Sequence, residues 1–225
     1  MTTERRLTLS AGILYLLTFV TSMPALALKQ PYLDGLLGAD PGAVRWAAAL
    51  EIVLAACCVG TAIALYPVVR RHREALALGF VASRTVEAAV ILLGVTSMLA
   101  VLSVGRSDVA AGALVGLHDW AFLLGPGLLP AVNAALLGSL LLGARLLPRA
   151  IPTVGLIGAP LLVLSAMGTL LGWFDQVSVW GLVGALPIAV WELALGLWLT
   201  ARGLRTVTPD AVGGVPYSDS GVAAR

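Results

Sequence analysis

The stretch "LALGFVASRTVEAAVILLGV" (Leu76–Val95) decides the fold class of this chain. It is almost entirely apolar, and its length matches the roughly 20 residues that a helix needs to cross about 30 Å of hydrocarbon. Two opposite charges, Arg84 and Glu87, nevertheless lie three positions apart near its centre. The stretch therefore predicts a membrane-spanning helix with an ion pair in its apolar part.

The composition of the whole chain indicates the same class. Of its 225 residues 59% are hydrophobic and 12% are charged, whereas an ordinary soluble domain is about 25% charged. The formal net charge of +2 is small, and no basic patch is interleaved with aromatic residues, so we expect no nucleic-acid partner. The expected partner is the lipid bilayer, and the sequence leaves the oligomeric state open.

Six apolar segments are long enough to cross a bilayer, so we predict an all-α protein with a six-helix transmembrane domain over residues 1–206. Transmembrane β-strands are half as long and alternate in polarity, which excludes a β-barrel. Residues 207–225 are small, polar and broken by Gly and Pro, and predict a disordered tail. The predicted spans are residues 7–28, 46–66, 77–101, 113–142, 153–172 and 178–201.

The distribution of basic residues predicts the orientation. Nine cations lie at the chain start and in alternate joints, against three (Lys29, Arg45 and Arg106) on the other side. The positive-inside rule then places both termini in the cytoplasm. The predominance of Arg over Lys is typical of a GC-rich bacterial genome, so the expected location is the bacterial inner membrane. The nine cations are Arg5, Arg6, Arg70, Arg71, Arg73, Arg145, Arg149, Arg202 and Arg205.

The first span also has features of a cleaved signal peptide: a basic start, an apolar middle and an A-x-A end at Ala25–Ala27. Its apolar run is longer than the usual 7–15 residues of a signal peptide. The sequence therefore favours a first helix that is retained.

Two blocks of the chain resemble a family of small bacterial membrane proteins called domain of unknown function 4386. They are "LYPVVRRHREALALGFVASRTVE" (Leu65–Glu87) and "RLLPRAIPTVGLIGAPLLVLSAMGTLLGWF" (Arg145–Phe174). The Y-P, the basic cluster, E-A-L-A-L-G, R-x-x-E and L-x-P-R all occur in the family's order. The resemblance extends from Leu7 to about Arg202 and implies six helices, but it implies no activity, cofactor or site residue.

Polar residues from three different spans fall at one depth, which predicts an inner polar layer. At about 1.5 Å of rise per residue, Arg84 lies about 10 Å from the cytoplasmic end of its span, Asn133 and Glu192 about 13 Å, and Glu87 about 15 Å. An unpaired charge at this depth costs at least about 2.5–3.5 kcal/mol. We therefore expect these side chains to face the bundle interior and one another.

This inner layer has one arginine and two glutamates. A structural ion pair that fixes the packing of helices three and six is the simpler interpretation, and a substrate site is the alternative. One carboxyl is in surplus, so it must be protonated, hydrogen-bonded to a group such as Asn133, or compensated by a ligand. Glu87 is favoured as the surplus acid because it lies deepest.

Glu51, His118 and Asp119 predict a second, outer layer, about 8 Å from the external ends of their spans. One His and one carboxylate are too few ligands for a closed metal site, so we expect no metal. A polar cap beside the interfacial Trp120 is the simpler interpretation of this part of the fourth span.

The fourth span contains "LLGPGLLPAVN", with Gly125, Pro126, Gly127 and Pro130 near mid-membrane. Each Pro removes a backbone donor, and the glycines weaken the helix further. A simple kink is one interpretation, and a broken helix at a transporter binding site is the other.

The motifs of several enzyme classes are absent from the sequence, among them H-E-x-x-H, G-x-S-x-G and the Lys of a P-loop. We therefore expect no cofactor and favour a non-enzyme, although a lipid-modifying site can be built from scattered residues. Three function classes stay open. They are a small-solute or proton-coupled carrier, a membrane-embedded lipid-modifying enzyme, and a non-catalytic regulatory subunit.

Overall fold

The computed structural model describes residues 2–35 and 38–205 of the chain. Within these residues every regular element is an α-helix, so the predicted all-α class is confirmed. The helices are α1 (Thr3–Leu33), α2 (Pro41–Val69), α3 (Glu74–Val104), α4 (Val109–Leu124), α5 (Leu129–Gly143), α6 (Ala150–Leu170) and α7 (Val179–Ala201).

The helices supply six segments that are long and apolar enough to cross a membrane, because α4 and α5 together form a single span, Val109–Gly143. The protein is thus a multi-pass membrane protein, as predicted. Most helices extend past the predicted spans, since hydrogen bonding continues where the apolar run has ended. The tail predicted over residues 207–225 lies outside the described residues.

Side-chain caps begin four of the helices. The Thr2 hydroxyl accepts from Arg5 N at 3.3 Å and begins α1 at one end of the bundle, and the other three caps lie at the opposite end. The Asp40 carboxylate accepts from Gly42 N at 2.8 Å and begins α2, and the Asp108 carboxylate accepts from Ala110 N at 2.8 Å and begins α4. The Ser178 hydroxyl accepts from Gly181 N at 3.2 Å and begins α7. Each cap satisfies a backbone donor that the first turn of a helix leaves free.

The six spans form a ring in chain order. The main contacts are between sequence neighbours, namely α1 with α2, α2 with α3, α3 with both α4 and α5, α5 with α6, and α6 with α7. α7 also packs against α1, which closes the ring. The centre of the ring is therefore lined by all six spans.

The contact between α1 and α7 is closest near the chain ends. A Cβ at Gly12 would lie 2.6 Å from Thr200 N, and a Cβ at Gly196 would lie 3.1 Å from Tyr15 Cβ, so small residues permit this approach. Arg5 then donates to the carbonyls of Leu199 at 2.7 Å and Thr200 at 2.6 Å. A cation thereby satisfies the free carbonyls that end α7.

We name the two ends of the bundle by the segments they carry. The N-terminal face holds the start of α1, the α2–α3 and α5–α6 loops and the end of α7. The opposite face holds the other loops. The outer surface between them is apolar, with large exposed side chains such as Ile63, Leu164 and Leu182. Such a surface is suited to lipid, whereas polar groups concentrate inside the ring.

Candidate functional site

The predicted inner layer is assembled as a contact cluster in the centre of the ring. Arg84 donates from Nη1 to Glu87 Oε2 at 2.9 Å on the same face of α3. Asn133 of α5 donates from Nδ2 to the same Glu87 oxygen at 2.7 Å. Arg84, Glu87 and Asn133 are all buried, so this carboxylate receives two hydrogen bonds inside the bundle.

Glu192 of α7 approaches the cluster from the other side of the ring. Its Oε1 lies 3.7 Å from Arg84 Nη1, which is within ion-pair range but beyond a hydrogen bond. Among the described residues, neither Glu192 Oε1 nor Arg84 Nη2 has a hydrogen-bond partner, although both atoms are buried. The sequence favours Glu87 as the surplus acid, but these contacts satisfy Glu87 and leave Glu192 as the surplus.

Two further residues of the inner cluster are not predicted by the sequence analysis. Arg84 donates from Nε to the hydroxyl of Thr61 on α2 at 3.3 Å. The Arg84 guanidinium also lies over the Tyr15 ring of α1, 5.1 Å from its centroid. Hydroxyl and aromatic residues in an apolar helix are common and carry no signal of their own, so depth counting alone could not identify them.

The outer layer centres on a residue that the sequence analysis assigns to a loop. Lys29 lies inside α1 and is 1% exposed, because α1 continues to Leu33. It forms an ion pair with Glu51 of α2, and its Nζ lies 3.0 Å from His118 Nε2 of α4. The assignment of Lys29 to the external loop cations is thus wrong, and Arg45 and Arg106 are left as the cations of that side.

Asp119 occupies the edge of the outer layer. Its carboxylate lies 3.0 Å from His118 Nδ1, but the Asp119 side chain is 64% exposed while His118 is buried. The predicted residues Glu51, His118 and Asp119 are therefore connected, with Lys29 as the central member and Asp119 on the outside. The chain of contacts leads from the bundle surface to a buried ion pair.

The fourth span is broken rather than kinked. α4 ends at Leu124 and α5 begins at Leu129, and Pro130 lies in the first turn of α5, where a missing N–H costs little. The segment between them, Gly125–Leu128, forms turns in which Gly127 N donates to Phe122 O at 3.0 Å.

The carbonyl that the break leaves at Phe122 has a second donor. Gln176, from the α6–α7 loop, donates from Nε2 to Phe122 O at 3.2 Å. Neighbouring protein thus satisfies backbone at the break, as it must away from water. A Cβ at Gly127 would lie 2.5 Å from Leu123 O and 2.6 Å from Gln176 Nε2, so only glycine fits this position without rearrangement.

Three cavities meet at the break, since Pro126 lines each of them. The large cavity, of about 640 Å³, lies towards the opposite face between α1, α4, α6 and α7. The inner cavity, of about 170 Å³, is lined by Arg84, Glu87 and Glu192. The third, of about 10 Å³, is lined by Lys29 and other residues of the outer layer.

The large and inner cavities are adjacent and share part of their walls. The shared residues come from five spans: Ser22, Met23, Leu54, Pro126, Leu162 and Ala185. A path therefore runs from the opposite half of the bundle to the inner charged cluster.

Over residues 2–35 and 38–205, no group of three His, Cys, Asp or Glu side chains is arranged to hold a metal ion. Cys57 and Cys58 of α2 are buried free thiols. The polar groups of the two layers are carboxylates, the buried cations Lys29 and Arg84, His118 and the amide of Asn133.

The family described as "Domain of unknown function (DUF4386)" matches residues 10–203, which takes in nearly all of the six spans. No curated protein and no solved structure matches the chain.

Proposed function

We propose that this chain, which belongs to the DUF4386 family, binds a small solute in the centre of its ring and carries it across the membrane. The chain is an integral membrane protein with six spans, and the solute would bind in the interior of that bundle.

The observation that carries the proposal is the position of the helix break. Pro126 lies where all three cavities meet, beside the polar side chains of both layers. Broken spans at mid-membrane are typical of transporter binding sites, because the break exposes backbone groups to a cavity and allows the two half-helices to move separately. α4 and α5 are such half-helices, since α4 packs on α3 while α5 packs on α3 and α6.

Two unsatisfied polar groups at the inner cavity support solute binding. Arg84 Nη2 is a buried donor and Glu192 Oε1 a buried acceptor, and neither has a partner within the described part of the chain. A buried polar group without a partner costs about 1–3 kcal/mol. A bound solute that accepts from Arg84 or donates to Glu192 would remove one of these costs.

The positions of the two glutamates also favour a carrier. Glu87 lies in the third span and Glu192 in the sixth, so each half of three spans contributes one acid to the centre. Halves of three spans have opposite orientations in the membrane, as in the inverted repeats of many transporters. Glu51 of the second span has no corresponding acid in the fifth span, so the similarity of the two halves holds for the inner layer.

The other function classes gain less support. An enzyme acting on lipid headgroups would concentrate its polar residues at one membrane face, whereas here they form two layers at different depths. A regulatory subunit would need no buried charge, and Lys29 and Arg84 would be an unexplained cost of folding.

The proposal is tested by measuring whether the inner cavity is accessible from both sides of the membrane. The test replaces Cys57 and Cys58 with Ala and introduces Ala189→Cys, which lies on the inner cavity wall. A small charged methanethiosulfonate reagent is added to either side of sealed vesicles. The matched control is Val190→Cys, one position along α7, whose side chain is 49% exposed on the outer surface of the bundle.

A carrier opens its binding site alternately to the two sides of the membrane, so Ala189→Cys should react with reagent added to either side. Val190→Cys should be protected by lipid from reagent on both sides. Reaction of Ala189→Cys from one side alone would indicate a closed-ended site and reject transport. Lack of reaction from both sides would reject solute access altogether.

A further inference from the structure

The large cavity opens laterally between α1 and α7. These helices are in closest contact near the N-terminal face, at Gly12 and Gly196. Towards the opposite face both helices border the cavity, and Met23 of α1 and Leu182 of α7 at the edge of the cavity are 57% and 62% exposed. The opening therefore faces the region that lipid would occupy, and a molecule can reach it from the bilayer.

The wall of the large cavity is apolar over most of its area. Leu26, Leu54, Phe122, Leu162 and Leu182 contribute to it, and Glu51 is the one charged residue among those that line it. The Glu51 carboxylate is already paired with Lys29. A cavity of about 640 Å³ falls within the range of about 300–1,000 Å³ that is typical of small-molecule sites. This part of the path suits an apolar molecular body.

The inner end of the path carries a surplus negative charge. Two carboxylates, Glu87 and Glu192, line the inner cavity together with one cation, Arg84. Glu87 is satisfied by Arg84 and Asn133, whereas Glu192 Oε1 has no hydrogen-bond partner among the residues described. Arg84 lies 2.9 Å from Glu87 and 3.7 Å from Glu192, so one cation faces two buried carboxylates. A second cation bound beside Glu192 would be stabilised by the surplus negative charge.

We propose that the path binds a lipophilic cation, with a single ammonium group beside Glu192 in the inner cavity and an apolar body in the large cavity. The two cavities share Met23, Leu162 and Ala185, so one molecule can occupy both. The inference rests on the proposed function, because it names the chemical class of the solute for that same site.

The test uses three probes that share one apolar body and differ in charge. They are 1-aminoadamantane, which is protonated at neutral pH, neutral 1-adamantanol, and 1-adamantanecarboxylate. Binding is measured by isothermal titration calorimetry on the purified protein in lipid nanodiscs, with empty nanodiscs as the blank. The cation should bind most tightly, and the anion should show no binding above the blank.

The variant that tests the role of the charge is Glu192→Gln, which keeps the shape of the side chain. It should weaken binding of the cation by about 30-fold or more, the lower end of the effect of removing one partner of a buried charge pair. Binding of the neutral alcohol should change little. Glu74→Gln, at the exposed start of α3 on the N-terminal face, is the control and should leave all affinities unchanged.

The wild-type comparison decides the inference even if Glu192→Gln does not fold. Equal affinity for the amine and the alcohol would overturn the cation inference and leave solute binding in place. Preference for the carboxylate would overturn it as well and would identify Arg84 as the contact of the ligand. No binding of any probe would overturn the lipophilic class, while the accessibility of Ala189→Cys would still decide the proposed function.

Discussion

Replacing Arg84 with Met tests whether the inner layer is a true ion pair. The substitution keeps the volume of an unbranched side chain but removes the cation that faces Glu87 at 2.9 Å and Glu192 at 3.7 Å. Removing one partner of a buried pair typically costs about 3–5 kcal/mol, because the other charge stays buried without compensation. Loss of the hydrogen bond to Thr61 acts in the same direction.

The expected loss can be expressed as a melting temperature. For a protein of this size about 1 kcal/mol corresponds to about 2–4 °C, so Arg84→Met should lower the melting temperature in detergent by about 6–20 °C. The matched control is Arg71→Met, which breaks an exposed pair with Glu4. Exposed pairs contribute at most about 1 kcal/mol, so this control should melt within about 4 °C of the wild type.

The double variant Arg84→Met/Glu87→Met separates the pair from general disruption. Replacing both members of a buried pair with apolar groups is often neutral, so part of the stability should return, while Glu192 stays buried without the cation that lies 3.7 Å from it in the wild type. Asn133 would lose its acceptor, which leaves a residual cost of about 1–3 kcal/mol. If Arg84→Met melts no lower than Arg71→Met, Arg84 extends to water along the helix and the inner layer as described here does not exist.

Three other predictions concern orientation, the helix break and the outer layer. Reporter fusions should give a cytoplasmic signal after alternate spans and an external signal in the remaining loops, and a cytoplasmic signal near residue 40 would contradict six spans with both termini inside. The cytoplasmic fusion points are Arg73, Arg149 and Arg205, and the external ones are Asp40 and Arg106. Gly127→Ala places a Cβ 2.5 Å from Leu123 O and should lower the free energy of unfolding by about 1–3 kcal/mol in thermal unfolding. The control Gly116→Ala places its Cβ in open space on α4 and should cost nothing. Equal stability of the two variants would refute a tightly packed break. Lys29→Met should destabilise the protein by about 3–5 kcal/mol, and Lys29→Met/Glu51→Gln should regain part of that loss in the same assay. A Lys29→Met protein as stable as the wild type would show that Lys29 reaches solvent.

The fold could be predicted from the sequence because the signal is long and repeated. Each span is a long and mainly apolar run, so fold class, number of spans and approximate bounds follow from length and hydropathy alone. The ends of the helices could be predicted less accurately than the number of spans. Residues such as Lys29 interrupt the apolar run without ending the helix, and the assignment of Lys29 to a loop failed for this reason.

The site could be predicted only in part. Depth counting identifies charged residues that share a layer, and the structure brings Arg84, Glu87, Asn133 and Glu192 together. Depth counting does not give the rotation of each helix about its axis, and this rotation decides that Asn133 donates to Glu87 rather than to Glu192. Gln176 reaches the helix break from a loop, and no periodicity in the sequence marks such a contact.

The proposed function requires that the buried charges border a cavity that solutes and water can enter. Water-edited solid-state NMR of protein with ¹⁵N-labelled arginine, in lipid bilayers, measures how fast magnetisation passes from water to each guanidinium. Arg84 would be assigned by the loss of its signal in Arg84→Lys. Because water fills the inner cavity when no solute is bound, the Arg84 signal should build up nearly as fast as that of exposed Arg71, although Arg84 is 2% exposed in the folded bundle. A build-up at Arg84 many times slower than at Arg71 would mean that the interior is dry and that no solute or water reaches the buried charges.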